Sequence, residues 1–141
     1  MIRIAQKNDW YDCYGLICTL EHETFDEEVF HSIFLKQQKD RNMCCLLYEE
    51  GGRIMAMCNI RFDVPLHHCS GVAEIIEFVV QKEQRSKGIG EKMFKAACAL
   101  AKLRGCEQIE LVTNQRRKKA HRFYERMGMI QSHYGYARLL Q

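Results

Sequence analysis

The sequence predicts an α+β fold (α/β in some schemes), a single domain over residues 1–141 in which helices flank a mixed, mostly antiparallel central sheet. Residues 73–80 are a short run of β-branched and aromatic side chains, typical of a strand buried on both faces. The apolar positions then change to steps of three and four residues up to Gly105, which indicates an amphipathic helix. A further strand at residues 108–113 would therefore return parallel to the first, at the middle of the sheet.

The first part of the chain predicts a short strand followed by two helices. Residues 1–4 are β-like, and Asp9 with the preceding asparagine offers a cap for a helix with apolar positions at residues 10–20. A second helix is expected after Thr24, because the acidic residues 26–28 suit the first turn of a helix and apolar residues follow at helical spacing.

The middle of the chain predicts a hairpin that leads into the central strand. Residues 43–48 and 54–62 are apolar runs, and the segment 49–53 between them contains two glycines, so the runs should be antiparallel neighbours. The only proline, Pro65, begins an irregular connection to the central strand.

The end of the chain predicts one more helix and a last strand. Residues 118–127 form the helix, which Gly128 stops, and residues 132–140 form the strand. The last strand is apolar and aromatic enough to pair across a homodimer.

Composition limits the classes of function. A net charge of +3 and a pI near 8.4 fit small anionic ligands and are too weak to predict nucleic-acid binding. No apolar run is long enough to cross a membrane, and the amino terminus is not a secretory signal, so a cytoplasmic protein is expected. Eight cysteines without a Cys-x-x-Cys pair indicate reduced thiols. Their spacing matches no closed zinc site, so no metal is predicted.

The junction between the central strand and its helix reads Arg85-Ser-Lys-Gly-Ile-Gly90. A helix start offers unpaired N–H groups and a partial positive charge, which favour an anion. Gly88 and Gly90 let the backbone approach a bulky ligand, and Arg85 and Lys87 add positive charge. The alternative is an ordinary glycine turn.

Two motifs resemble those of the GNAT superfamily of N-acetyltransferases. Arg85, Gly88 and Gly90 match its acetyl-coenzyme A loop, Gln/Arg-x-x-Gly-x-Gly/Ala. A later motif of that superfamily is matched, in the same order along the chain, by Asn114, Ala120, Phe123, Tyr124 and Gly128. Met129 departs from the aromatic residue that is usual in the later motif, which changes packing and leaves the chemistry untouched.

The resemblance implies the GNAT fold and acetyl-coenzyme A as the cosubstrate. It implies that the loop amides hold the coenzyme's diphosphate and that the main chain of the central strand pairs with its pantetheine arm. For Asn114, a simple turn residue is the alternative. The coenzyme-binding residues that the resemblance assigns are Phe78, Val79, Val80, Arg85, Ser86, Lys87, Gly88, Ile89, Gly90, Asn114 and Tyr124.

Acetyl transfer to an amine needs a base for the ammonium and a proton for the departing thiolate. The phenol of Tyr124 is protonated at neutral pH, so with the resemblance Tyr124 is the expected donor, and a core tyrosine is the alternative. Glu77, late in the central strand, is the expected base, since burial would raise its pKa, and Glu74 is the rival candidate.

A finer resemblance, to aminoalkylphosphonate N-acetyltransferases, concerns the acceptor. It rests on Leu16-Ile-Cys-x-Leu, Phe25-Asp26, Leu66-His-His68, Glu74-Ile-x-Glu77, His121-Arg-Phe-Tyr124 and Gln131-Ser-His133. It implies a small amine that carries an anion. The candidate contacts for that anion are Arg61, His67, His68 and His133, although the two adjacent histidines equally suit a loop pair bonded to backbone groups.

Other functions remain open on the sequence. An aminoglycoside or polyamine acceptor would need an acidic pocket, for which Asp26, Glu27, Glu28 and Asp63 are available. A protein amino terminus or lysine is another possible acceptor. The chain also fits a non-catalytic coenzyme-binding module with a regulatory or interaction role.

Overall fold

The computed structural model describes residues 1–141, and the chain forms two compact units, Met1–Glu110 and Leu111–Gln141. The prediction of a single domain stays a prediction. None of the helices is both long enough and apolar enough to span a membrane.

The first unit begins with one strand, two helices and a run of three strands, and a third helix then leads to the fifth strand. The elements are β1 (Ile2–Ile4), α1 (Trp10–Glu21), α2 (Glu27–Gln38), β2 (Met43–Glu50), β3 (Arg53–Asp63), β4 (Gly71–Val80), α3 (Ile89–Leu103) and β5 (Cys106–Leu111). In the second unit, α4 (Lys118–Arg126) is the regular element. Each of these elements was expected from the sequence, whereas the last predicted strand does not form.

The sheet has the order β1-β2-β3-β4-β5. The first three pairs are antiparallel. Short connections join β2 to β3 and β3 to β4, whereas α1 and α2 lie between β1 and β2. A helical crossover, α3, joins β4 to β5, which makes the last pair parallel. The prediction of a mixed, mostly antiparallel sheet is confirmed, but the parallel pair lies at the end of the sheet rather than in its middle.

The hairpin between β2 and β3 turns on two residues, Gly51 and Gly52, with φ angles of 58° and 75°. Both angles are in the left-handed region, where glycine carries no steric penalty. Such a two-residue turn suits the twist of the flanking strands, so the predicted hairpin is confirmed and is tighter than the sequence suggested.

The two faces of the sheet are covered by different helices. On one face α1 and α2 bury an apolar cluster, and on the other α3 buries its apolar stripe against β2, β3 and β4. The first cluster includes Cys13, Leu16, Ile17, Phe34, Leu47, Met57 and Val79. The stripe of α3 consists of Ile89, Met93, Phe94, Ala97 and Ala101.

Two sequence predictions need correction. The second helix begins at Glu27 rather than directly after Thr24, because Asp26 is its N-cap and its Oδ1 accepts the N–H of Val29 at 2.9 Å. The predicted strand at residues 132–140 is wrong, since residues 129–141 form neither helix nor strand. A strand requires a hydrogen-bonded neighbour, and no strand of this chain pairs with that segment.

Candidate active site

An irregularity in the pairing of β3 with β4 places two glutamates on one face of the sheet. Asn59 lies opposite Glu77, whereas Ile60 lies opposite Ile75, so Ile76 is one extra residue in β4. In a regular strand, residues three apart point to opposite faces. With the bulge, Glu74 and Glu77 share the face that also carries Val79 and is covered by α1 and α2.

The carboxyl group of Glu77 is bonded to a buried amide. Asn59 Nδ2 donates to Glu77 Oε1 at 2.8 Å and to Gln37 Oε1 at 3.0 Å. Burial raises the pKa of Glu77, the Asn59 bond acts against that rise, and the charge of Glu21 adds to it. A carboxyl group with a raised pKa is a stronger base, which is what acceptance of a proton from an ammonium requires.

The other glutamate, Glu74, belongs to an ion-pair cluster beside Glu77. Arg61 donates from Nη2 to Glu74 Oε2 and from Nε to Asp63 Oδ2, both at 2.9 Å. The two carboxylates, Asp63 first, raise the pKa of Arg61. The Arg61 side chain is 45% exposed, and its guanidinium keeps three of its five N–H groups for another acceptor. Two carboxylates around one cation leave this cluster with a net negative charge.

The loop before α3 has the backbone conformation of an anion cradle. Ser86 and Gly88 have φ angles of 64° and 81°, and Gly88 is the N-cap of α3. No side chain caps the helix, so its first-turn N–H groups are open to a ligand. A Cβ on Gly88 would meet no atom within 4 Å, so glycine is needed there for its φ angle rather than for space.

The two cationic side chains of this loop are held by short-range bonds. Arg85 Nε donates to the carbonyl of Val80 at 3.1 Å, and Lys87 Nζ donates to Gln84 Oε1 at 3.2 Å. Residues 85–88 are all exposed. Both positive charges therefore lie at the exposed start of α3, which reinforces the attraction for an anion.

The two adjacent histidines lie in the connection between β3 and β4. His68 Nδ1 is 2.9 Å from Glu107 Oε1 in β5, while His67 is exposed and its ring centroid lies 4.5 Å from that of His68. Arg61 and His68 thus have different acidic partners. His133 lies in the second unit, where its Nδ1 is 2.7 Å from the Ser132 hydroxyl.

In the second unit, Asn114 organises the turn into α4. Its Oδ1 accepts the backbone N–H of Arg116 at 2.9 Å, and its carbonyl accepts from His121 Nε2 at 2.9 Å. The side-chain bond is the local pattern that makes asparagine a turn residue. Tyr124 is half-buried on α4, and its ring stands edge-on to Phe123 at 5.4 Å between centroids.

Sequence reasoning missed two site residues, Asn59 and Gln37. The available signal was a single amide within the otherwise apolar run of residues 54–62. Among His, Cys, Asp and Glu side chains, no group of three or more is arranged to hold a metal ion. All eight cysteines are free, and burial raises the pKa of Cys58, which makes it a poor nucleophile.

Comparison with known proteins places the chain among acetyltransferases. The sequence model of the acetyltransferase (GNAT) family matches residues 7–129. An aminoalkylphosphonate N-acetyltransferase of Salmonella typhimurium is 34% identical over 139 residues, which are 99% of this chain and 90% of that protein. An uncharacterized N-acetyltransferase of Bacillus subtilis is 30% identical over 91% of this chain and 89% of its own. The crystal structure of a transcriptional regulator from Bacillus halodurans superposes with a TM-score of 0.92 at 27% identity, over 99% of both chains.

The raised pKa of Glu77 should make the stability of the folded protein depend on pH. The folded state holds the proton above the ordinary pKa of 4.5, so the parent loses stability as the pH rises through and beyond that value. Glu77→Gln removes this loss and is expected to unfold at a higher temperature than the parent at pH 8, with the difference vanishing near pH 4. Thermal unfolding followed by circular dichroism between these pH values measures it.

The matched control is Glu74→Gln, which breaks an ion pair with Arg61 and should lower the unfolding temperature slightly. A Glu77→Gln variant with the same pH dependence of unfolding as the parent would contradict the prediction.

Proposed function

We propose, since this chain belongs to the acetyltransferase (GNAT) family, that it moves the acetyl group of acetyl-coenzyme A to the primary amine of a small anionic acceptor, an aminoalkylphosphonate or a close analogue. The observation that carries this proposal is the 34% identity, over 99% of the chain, with an enzyme of that name. We further propose that the protein works in the cytoplasm, in agreement with eight free cysteines.

The loop before α3 fits the diphosphate of the coenzyme. Open N–H groups at a helix start, a left-handed Gly88 and the charges of Arg85 and Lys87 are the features that a phosphate group needs. The main chain of residues 78–80, at the end of β4, would hold the pantetheine arm, and Asn114 would add a contact. When bound, the coenzyme supplies the activated thioester.

Glu77 is the proposed base for the acceptor. It takes a proton from the ammonium directly or through a water molecule, which frees the nitrogen lone pair for attack on the acyl carbon. Of the two candidate glutamates, Glu77 is favoured because Glu74 is already paired with Arg61. A raised pKa also suits Glu77 to this role.

Tyr124 is the proposed acid. As the C–N bond forms and the C–S bond breaks, the departing thiolate takes the phenolic proton of Tyr124. This role rests on the motif in which Tyr124 lies. A phenol carries its proton at neutral pH and has an acidity close to that of a thiol, so the transfer is near balance.

Arg61 is the proposed contact for the acceptor's anion. It shares a face of the sheet with Glu77 and lies two residues along β3 from Asn59, the partner of Glu77, a step of about 7 Å. A short substrate with an amine at one end and a phosphonate at the other matches this pairing of a base with a guanidinium. His67, His68 and His133 remain proposed secondary contacts, with His68 already bonded to Glu107.

A second candidate acceptor is a polyamine or an aminoglycoside. The observation that favours it is the acidic character of the same face, where Asp63, Glu74 and Glu77 outnumber the single Arg61. Asp26, one of the acidic residues considered from the sequence, is instead engaged as the N-cap of α2. A protein acceptor and a regulatory module remain alternatives, the latter because one similar structure is described as a transcriptional regulator.

We predict that free-thiol release from acetyl-coenzyme A is fastest with aminomethyl- or aminoethylphosphonate in a panel that also contains polyamines, aminoglycosides and short peptides. Arg61→Gln should raise KM for the phosphonates about tenfold or more, since it removes a charge-assisted hydrogen bond. For polyamines, KM should stay the same or fall. Arg53→Gln, on the exposed end of the same strand, is the matched control. Fastest release with polyamines would replace the first candidate acceptor with the second.

We predict that Tyr124→Phe lowers kcat on the order of 100-fold while acetyl-coenzyme A binds as in the parent, because the variant loses only the proton donor. Stopped-flow thiol release and calorimetric titration of the coenzyme give the two quantities. Tyr11→Phe, at an exposed position, serves as the control. A Tyr124→Phe variant that turns over like the parent would remove the proton-donor assignment.

We propose a homodimer formed through the carboxyl-terminal segment. Tyr134, Tyr136, Leu139 and Leu140 are each more than 80% exposed, and an extended apolar segment without a strand partner favours association with a second copy. Light scattering should give about twice the 16.6 kDa mass of one chain, and deletion of residues 132–141 should give a monomer. A monomeric full-length protein would contradict this proposal.

A further inference from the structure

Asn59 is the only polar or charged residue among the buried residues of this protein. It is 6% exposed and lies in the middle of β3, a strand whose other central positions are apolar. A buried amide is costly unless its hydrogen-bonding groups have partners, so a strand core favours an apolar side chain. Asparagine at this position therefore calls for an explanation beyond packing.

The two hydrogens of the Asn59 amide have separate acceptors in two other elements. One bond, of 2.8 Å, reaches Glu77 Oε1 in β4, and the other, of 3.0 Å, reaches Gln37 Oε1 near the end of α2. The bond to Glu77 engages Oε1 alone, so Oε2 remains to accept a proton. The bond to Gln37 fixes the plane of the Asn59 amide from the helix side.

We propose that Asn59 is a positioning residue, which holds the Glu77 carboxylate with one oxygen turned to the acceptor amine, and that Gln37 anchors the Asn59 amide from α2. The proposal rests on the proposed function, in which Glu77 is the base. It explains how the Glu77 carboxylate keeps one orientation although the preceding residue, Ile76, forms a bulge in the same strand.

The chemistry of the amide is what this role requires. A primary amide donates two hydrogen bonds in one plane, whereas a hydroxyl donates only one and a carboxylate donates none. The extra residue Ile76 turns Glu77 onto the face of Asn59, and the cross-strand pairing then brings the two side chains together. Neither feature would suffice alone.

The charges around Glu77 determine what loss of the amide would do. Glu21, at the end of α1, raises the pKa of Glu77, and α2 contributes the neutral Gln37. Along the same face, Glu74 and Arg61 are paired with each other, and Cys45 of β2 lies opposite Asn59. Without the amide, burial and Glu21 act unopposed, so the carboxyl group would hold its proton to higher pH.

The first test is the pH profile of kcat/KM for the parent, Asn59→Leu, Gln37→Leu and the double variant, with Gln38→Leu as the matched control. In Asn59→Leu, which has a similar volume and adds no charge, the acid limb should move up by about one pH unit, a loss of about tenfold below that limb. Gln37→Leu should move it less, and should add nothing in the double variant because Gln37 acts through Asn59. Gln38→Leu should leave the profile unchanged.

The second test does not depend on turnover. The Glu77 carboxyl carbon, observed by NMR in ¹³C-glutamate protein and assigned by its absence in Glu77→Gln, should titrate at higher pH in Asn59→Leu and in Gln37→Leu than in the parent. If Asn59→Leu does not fold, Gln37→Leu alone decides the matter, because it leaves the strand unchanged. An unchanged titration in the folded variants overturns the positioning role.

The two tests also separate this inference from the proposed function. If Glu77→Gln keeps the parent's activity and profile, Glu77 is not the base and the proposed mechanism fails, whatever Asn59 does to the titration. If Glu77→Gln loses activity but the Asn59 and Gln37 variants keep the parent's acid limb, the mechanism stands and the positioning role is overturned.

Discussion

The pairing of β3 with β4 includes one extra residue, Ile76, and the arrangement of the sheet face that carries Glu74 and Glu77 depends on it. The bulge reverses the facing of every β4 residue on one side of it relative to an unbroken strand. Glu77 and Val79 then face α1 and α2 together with Glu74, and Glu77 meets the amide of Asn59. Without the bulge, the two glutamates would face opposite sides of the sheet, and only one of them would share a face with Asn59 and Arg61.

A second constraint is the electrostatic balance along that face. Arg61 is bonded to Asp63 and Glu74, so its charge is largely compensated, while Glu77 is more buried and accepts a hydrogen bond from the Asn59 amide. An acceptor with both a cation and an anion fits such a face, because each end meets an opposite charge. A polycation would use the carboxylates and leave Arg61 without a role, which is why the two candidate acceptors make opposite demands on that residue.

The loop before α3 depends on backbone rather than on side chains. The left-handed Gly88 lets β4 turn through the exposed loop into α3, and the uncapped start of that helix favours an anion. The apolar stripe of α3 fixes the helix against the sheet through residues such as Met93 and Ala97. A well-packed helix therefore supports an exposed loop, a common arrangement when a loop carries function.

The sequence by itself determined the local elements and the glycine loop before α3. The hairpin at Gly51 and Gly52, the amphipathic stripe of α3 and the glycine-containing junction before it are encoded in neighbouring residues, because turns and periodic burial depend on short-range geometry. The same local patterns carried the family resemblance. The raised pKa of Glu77 was also expected, since its strand was predicted to be buried.

Only the tertiary structure decided the register. Three relations are long-range: the β3 residue that faces Glu77, the bulge at Ile76, and the bond from Asn59 to Gln37. No local pattern in β4 distinguishes a bulged strand from a regular one. The error at residues 132–140 has the same cause. Apolar and aromatic residues are compatible with a strand, but a strand forms only where another strand offers its hydrogen bonds, and within this chain none pairs with that segment.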